Sequence, residues 1–520
     1  MMRSRPGKID GIENVASNFN LYAHFEDRFA SRMSDELLRT DADLSLSYAD
    51  VAARSAAIAR CLGELGVEAG DRVSVQVKKS PEALCLYLAC LRGGFVFHPM
   101  NTAYKAGELD YFINNAETSV AICDPSNEDT IGQIAAGAGV KHVLTLDGNG
   151  RGSLAEAADG ATDDFEVLHR DADDLAALLY SSGTTGRPKG IMLTHSNLLS
   201  NTQALVNAWG FTDQDRLLHA LPIFHVHGLF VAIGCVLLSA ARMRWLDSYD
   251  AERVVRYLPE CTVMMGVPTY YTRLLQRDDF DAAAAKNVRL FVSGSAPLLE
   301  ETFHAFEERT GHRILERYGM TETNMNTSNP LDGERKPGTV GPPLPGVEAR
   351  VVDEDGAEVA AGTIGNLQIR GPNVFRGYWR MPDKTAEDFT ADGFFNTGDK
   401  GRIDDDGYVS IVGRAKDMVI SGGLNVYPKE IELVIDDIPG VRESAIIGVP
   451  HPDFGEAVFA VVVRDGDVSE DDIIGLCKTE LADYKVPKAV AFVDELPRNS
   501  MAKVQKSLLR ETYQGVMSTA

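Results

Sequence analysis

The spacing G-x-x-x-x-G-K-[ST] occurs nowhere in this chain, which excludes a P-loop as its means of holding a nucleotide. Paired cysteines are missing as well. The seven Cys (Cys61, Cys85, Cys90, Cys123, Cys235, Cys261 and Cys477) form no C-x-x-C, and most lie in apolar surroundings such as EALCLYLACL. Reduced, buried thiols in a cytosol-like compartment are the expectation. The histidine pair His225-Val-His227 has ligand-like spacing but is too little for a zinc site. Long apolar runs are absent: Gly228 to Ala241 falls short of the ~20 residues that span a bilayer and predicts a buried helix. Arg3, Arg5 and Lys8 precede no apolar stretch, so no secretory signal is expected; a cytoplasmic location is the expectation, with a short organelle presequence left open. Positive charge is scarce too. Lys and Arg number 51 against 76 Asp and Glu, a net charge of -25, which argues against nucleic acid or an anionic membrane as partner.

What is present describes a globular enzyme of more than one domain. A chain of 520 residues exceeds what one core usually supports, and 44% hydrophobic with 24% charged residues is ordinary globular composition. Apolar residues recur at helical spacing in Tyr48 to Leu65, and Arg72 to Val77 alternates like a strand. A helix over Pro81 to Leu91 and a strand at Gly94 to His98 follow; Ser119 to Cys123, Lys141 to Leu146 and Val288 to Val292 read as further strands. This order predicts an α/β fold with layered, parallel sheets. From about Val347, short strands and dense turns (Val351 to Gly356, Asp404 to Tyr408) predict a small antiparallel or barrel-like subdomain. A further break near Gly413 to Asp417 leaves a last segment of a size suited to a compact α+β domain.

The most informative stretch is Tyr180 to Gly190, YSSGTTGRPKG. Gly183 and Gly186 allow backbone N–H groups to approach a polyphosphate closely, and the hydroxyls of Ser181, Ser182, Thr184 and Thr185 can donate to it. Lys189 adds a cation. Further segments follow in order: Tyr318-Gly-Met-Thr-Glu322, Asn396-Thr-Gly-Asp399, Gly413-Arg-Ala-Lys-Asp417, Ser421-Gly-Gly-Leu-Asn425 with Pro428-Lys-Glu430, and Pro497-Arg-Asn-Ser-Met-Ala-Lys503. Together they resemble the adenylate-forming superfamily of acyl-CoA synthetases, luciferases and adenylation domains, over nearly the whole chain. PIFHVHGLFVA, VPTYYTRLL, RYGMTETNMN and LPRNSMAKVQK are most similar to the malonyl-CoA synthetases within it.

The resemblance implies Mg-ATP-dependent adenylation of a carboxylic acid with release of pyrophosphate, then thioester formation with CoA. ATP, Mg²⁺ and CoA are the implied cofactor and co-substrates. It implies an N-terminal domain over 1–415 and a small mobile C-terminal domain over 416–520, with the hinge at Lys416. Glu322, with Thr184, is the expected Mg²⁺ contact, since that ion is usually shared between one or two protein oxygens and phosphate. Asp399 suits the ribose hydroxyls. Arg414 adds a cationic ribose or phosphate contact, Gly294-Ser295-Ala296 an adenine-facing loop, and Tyr318, Gly319 and Thr321 further ATP contacts. Lys503 is the expected catalytic cation, neutralising carboxylate and α-phosphate as they meet. Ala502 beside it stands where the family usually has Gly. Ser421, Gly422 and Gly423 are expected to line a pantetheine tunnel, where missing side chains leave room.

His225 matches a motif beside the acid pocket, with Val226 and Met320 near the substrate α-carbon. Amino-acid-activating relatives carry an Asp near there and this chain has none, which counts against an amino acid. A malonate distal carboxylate needs a cation. Arg273 is the candidate, its planar fork suited to a carboxylate; Arg187 is expected to face phosphate and Arg244 to be structural. Another short, methyl-branched or aromatic acid, and an acyl-AMP ligase without CoA, stay open as alternatives.

Overall fold

Helix Pro81–Arg92 is apolar all round, and the fold explains it by placing the helix against buried strands and helices on every side. Ser80 starts it by accepting the Ala83 amide at 3.1 Å, with Pro81 at the first turn. This computed structural model describes residues 18–182, 188–296, 298, 300–414, 418–426, 428–497 and 504–517. Two large sheets dominate. A seven-stranded sheet runs Gly377–Tyr378, Pro188–Thr194, Leu175–Ser182, Val96–Pro99, Arg72–Gln76, Thr118–Cys123 and His142–Thr145. An eight-stranded sheet runs Asn324–Ser328, Leu315–Met320, Leu290–Ser293, Val263–Gly266, Arg216–His219, Arg242–Trp245, Glu36–Thr40 and Ser45–Ser47. Parallel pairing at their centres is as the strand–helix–strand order predicts, and antiparallel strands join at their margins.

The predicted helix over Tyr48 to Leu65 is observed as Tyr48–Glu64, opened by a reciprocal capping pair between Ser47 and Asp50. Arg72–Gln76 differs from its alternating pattern, because Val73 to Gln76 are all buried. Both faces of this central strand are covered, and Ser74 is satisfied there by His98 Nδ1 at 2.8 Å and Thr118 at 2.6 Å. Gly228 to Ala241 is buried as expected, but it is two pieces: a wide π-type turn at His227–Ala232, then the helix Ile233–Ser239. A Cβ on Gly228 would lie 2.0 Å from the Pro222 carbonyl oxygen, so the tight entry requires glycine.

The turn-rich region forms a four-stranded antiparallel sheet in the order Glu348–Val352, Gly365–Arg370, Phe395–Ile403, Val409–Arg414. The last segment is α+β. Leu424–Val426, Val419–Ser421, Gly455–Arg464 and Val441–His451 lie in order, Ala489–Val493 pairs in parallel with Gly455–Arg464, and helices Pro428–Asp436, Glu470–Glu480 and Lys506–Tyr513 pack with them. The expected domain boundary between 415 and 416, and with it Lys416, lies outside the described residues. All seven Cys are free and buried, in line with the reading of reduced thiols. Among the described residues no helix is long and apolar enough to cross a membrane.

Candidate active site

Strands Val263–Gly266, Leu290–Ser293 and Leu315–Met320 run parallel and end side by side, and ligands of open α/β sheets bind at such carboxyl ends. Just beyond these ends lie Val267, Gly294 and the turn of Thr321 and Glu322. Strands Leu175–Ser182 and Pro188–Thr194, which flank the glycine- and hydroxyl-rich motif in the sequence, pair antiparallel in the other large sheet. Gly183, Thr184, Thr185, Gly186 and Arg187 lie outside the described residues, and of Ser182 only the backbone is described. Ser181 is placed: its Oγ donates to Glu322 Oε1 at 3.3 Å, so the hairpin meets the candidate metal carboxylate. Glu322 is buried.

The turn that presents Glu322 is tight. A Cβ on Gly319 would fall 2.0 Å from the Asn324 carbonyl oxygen, and Asn324 itself adopts φ 50°. One strand residue earlier, the Tyr318 hydroxyl donates to Asp399, which is 2% exposed. Asp399 in turn is the backbone register partner of Arg414. Three sheets therefore converge here: Ser181 from one, Tyr318 and Glu322 from the second, Asp399 from the third. Lys189 is buried at the start of the second hairpin strand. Its ammonium lies 3.8 Å from Asp388 and 4.3 Å over the Tyr378 ring, tying helix Pro382–Asp388 to the hairpin.

His225 and Val226 lead into the wide turn that begins at His227, which faces the Gly294-Ser295-Ala296 loop. The Ser295 hydroxyl and His227 Nδ1 are 3.3 Å apart, and Ser295 holds a left-handed φ of 71°. Burial pushes His225 down to about 4 and holds His227 well below the usual range, where nearby Arg317 also disfavours its charge; both imidazoles are neutral at pH 7. Val226 is buried and Met320 half-buried, packed against the same core. Arg317 was missed as a site residue, although a charge inside the strand-like ILERYGM was a visible signal. It is 3% exposed, and its guanidinium fills the space beside Gly294, where a Cβ would come within 2.3 Å of Arg317 Cζ.

The Arg273 side chain is 41% exposed and sits 3.2 Å from both carboxylate oxygens of Asp453, on the C-terminal α+β unit. Arg244 is buried with Cζ 3.7 Å from the Tyr257 ring centre, as a structural residue would be. Gly422 and Gly423, at φ 59° and 79°, form the tip of a hairpin between Val419–Ser421 and Leu424–Val426, and buried Ser421 precedes them. A Cβ on Gly423 would sit 3.4 Å from Val267, so this tip reaches the strand ends of the large domain. Nearby, Phe224, Tyr249 and Tyr270 help line a cavity of about 440 Å³ between the two large sheets, with Lys78 and Lys79 on its wall. Lys503 lies outside the described residues.

The models of two families match the chain: AMP-binding enzyme over residues 25–379, and AMP-binding enzyme C-terminal domain over residues 430–503. The chain belongs to the AMP-binding enzyme family. It is 36% identical over 479 residues to a malonate–CoA ligase of Arabidopsis thaliana, covering 86% of this chain and 78% of that one. Among solved structures, it is similar to ATP-bound MatB from Rhodopseudomonas palustris, with 54% identity, coverage of 96% and 100%, and a TM-score of 0.77. It is also similar to a double mutant of o-succinylbenzoate CoA synthetase from Bacillus subtilis bound with a product analogue. There the identity is 26%, the coverage 95% and 98%, and the TM-score 0.86.

Glu322 is a buried carboxylate that accepts from Ser181. Among the described residues no group of three or more His, Cys, Asp and Glu is set to hold a metal by itself. Glu322, facing Ser181, fits Mg²⁺ that arrives already shared with phosphate oxygens.

Proposed function

We propose that this AMP-binding enzyme is a malonate–CoA ligase, forming malonyl-AMP from malonate and ATP and then malonyl-CoA. One observation carries the reading: the Ser181–Glu322 and Tyr318–Asp399 hydrogen bonds bring together residues of three sheets, with two buried carboxylates at their meeting point. Similarity to a malonate–CoA ligase supports the choice of acid.

In the first step a carboxylate oxygen of the acid attacks the α-phosphorus of ATP, the bond to the β-phosphate oxygen breaks, and pyrophosphate leaves. Mg²⁺ bound at Glu322, with Thr184, would neutralise phosphate charge there. Asp399, oriented by Tyr318, accepts from the ribose hydroxyls, and Arg414 adds positive charge beside it. Gly294, Ser295 and Ala296 offer backbone to the adenine. Lys503 bridges the two anions that must meet, where a preorganised cation is most effective. In the second step the CoA sulfur attacks the acyl carbonyl carbon and AMP leaves. Ser421, Gly422 and Gly423 flank the approach of the thiol, the cavity beside Phe224 and Tyr270 offers a passage for the pantetheine, and rotation about Lys416 exchanges one set of contacts for the other.

The test is ATP-, Mg²⁺- and CoA-dependent thioester formation across malonate, methylmalonate, acetate, octanoate and 4-coumarate. Preference for the dicarboxylates is expected. Preference for a monocarboxylate would keep the ligase chemistry and overturn the acid.

A further inference from the structure

Lys79 joins the two large sheets at their strand ends and has no part in the two chemical steps. It follows strand Arg72–Gln76 of the seven-stranded sheet, and His219 closes strand Arg216–His219 of the eight-stranded one. Lys79 Nζ lies 2.7 Å from His219 Nδ1 and 2.9 Å from the His219 carbonyl oxygen, and both residues are buried. Trp245, the register partner of His219 on the neighbouring strand, stacks on the imidazole at 5.0 Å, with the Lys79 nitrogen 4.5 Å from its ring centre. The far nitrogen of the same imidazole, His219 Nε2, lies 2.9 Å from the Gly228 carbonyl oxygen. A carbonyl oxygen only accepts, so Nε2 carries the proton. Burial, with Lys79 adding to it, holds the His219 pKa well below the usual range, so the ring is neutral and Nδ1 is a bare acceptor. Lys79 is then the donor. The bonds run one way, from Lys79 through His219 to Gly228, and each fixes the next.

Gly228 lies in the wide turn His227–Ala232, directly after His225, Val226 and His227. Apolar packing holds this turn in the core, but such packing is non-directional. The Leu229 amide bond to the His225 carbonyl, at 2.9 Å, is local to the turn, and His225 Nε2 and His227 Nε2 have no hydrogen-bond partner. A directed hold on the backbone comes from His219. We propose that Lys79 and His219 are positioning residues for activation of the acid: by gripping the Gly228 carbonyl they fix where His225, Val226 and His227 stand beside it. The inference rests on the reading that this turn borders the acid. Lys79 and His219 are 140 residues apart, so no motif announces the pair.

The experiment measures ATP–pyrophosphate exchange by the full-length enzyme with the acid that wild type activates best, reading KM for acid and ATP separately. The variants are Lys79→Met, His219→Asn and His219→Gln. Asparagine places its amide near the Nδ1 position, within reach of Lys79 but short of Gly228. Glutamine extends to the Nε2 position and can still donate to Gly228. The kcat/KM for the acid is expected to fall about 10- to 100-fold in Lys79→Met and His219→Asn, because a displaced turn misplaces the acid. KM for ATP should stay close to wild type, and His219→Gln should recover most of the loss. Equal effects on acid and ATP overturn the proposal, because they place both residues in the fold alone. His219→Gln as impaired as His219→Asn overturns it too, since the hold on Gly228 would not matter. So does a loss in Lys79→Met that His219→Asn lacks, which makes Lys79 a direct ligand of the cavity it borders. The His219 pair carries the test by itself if Lys79→Met does not fold. His225→Ala separates the two readings. An unchanged KM for the acid there overturns the place of the turn, whereas a raised one beside unaffected Lys79 and His219 variants overturns the relay alone.

Discussion

Lys485 Nζ lies 2.5 Å from Glu108 Oε1, joining the C-terminal α+β unit to helix Ala106–Asn115 of the large domain. The same ammonium lies 2.6 Å from Glu430 Oε1. Burial works against the Lys485 charge, yet Glu430, Tyr484, Tyr104 and Glu108 outweigh it and hold its pKa well above the usual range. Burial pushes Glu108 up, with Lys485 opposing. A buried charge left without its partner is costly, so this contact favours one arrangement of the two domains. It is the arrangement in which Gly423 meets Val267. Glu108→Gln is therefore expected to slow acyl transfer to CoA roughly 10-fold. ATP–pyrophosphate exchange should hold near its wild-type rate. Single-turnover kinetics of the two steps check this, and equal slowing of both would count against a role in one arrangement.

Lys503→Ala should lower the adenylation rate by about 10²–10³-fold. Thioester formation from preformed acyl-AMP should survive, because the second step needs no cation between carboxylate and phosphate. Supplying synthetic malonyl-AMP with CoA separates the two outcomes.

Gly423→Leu places a bulky side chain against Val267 and imposes a left-handed φ of 79° on a residue that resists it. A raised KM for CoA with little change in KM for ATP is the expected signature. A uniform loss in both would mean that the hairpin tip matters for folding rather than for the thiol.

Tyr318→Phe removes the hydroxyl that orients Asp399. ATP should bind more weakly, by roughly 3- to 10-fold, since a hydrogen bond of this kind contributes about 1 kcal/mol net. The acid KM should stay close to wild type. Isothermal titration with ATP measures the first and steady-state kinetics the second.

Stability should depend on pH through buried histidines. Burial lowers both His98 and His195 to about 3, so each stays neutral in the folded chain while its unfolded counterpart protonates near 6.5. Between those values the unfolded state binds more protons, so their contribution to stability rises with pH and is lost as pH falls below about 6.5. Glu316, raised to about 7, acts with the opposite sign in an overlapping window. Urea unfolding between pH 5 and pH 7 should show a shallower rise for His195→Asn than for wild type, and a steeper rise for Glu316→Gln.

Local pattern reached a good part of this protein. Helix Tyr48–Glu64 was legible because its apolar residues recur at helical spacing, and the Tyr180 to Gly190 stretch stood out because hydroxyl and glycine residues cluster there. Collinear motifs carried the family, since their order survives in the chain whatever the sheets do. Alternation misled at Arg72–Gln76, where a polar Ser74 is buried and paired rather than exposed. The partners of charged side chains were out of reach. Nothing in VPTYYTRLL says that Arg273 faces Asp453, nothing near Lys189 says that Asp388 receives it, and nothing in ILERYGM says that Arg317 is left without an acceptor. The sequence by itself determined the chemistry available and the elements that carry it, because those depend on neighbours along the chain. Only the tertiary structure decided which cation is paired and which is buried with unpaired nitrogens. That depends on distance and burial between residues far apart in the chain, which no local spacing encodes.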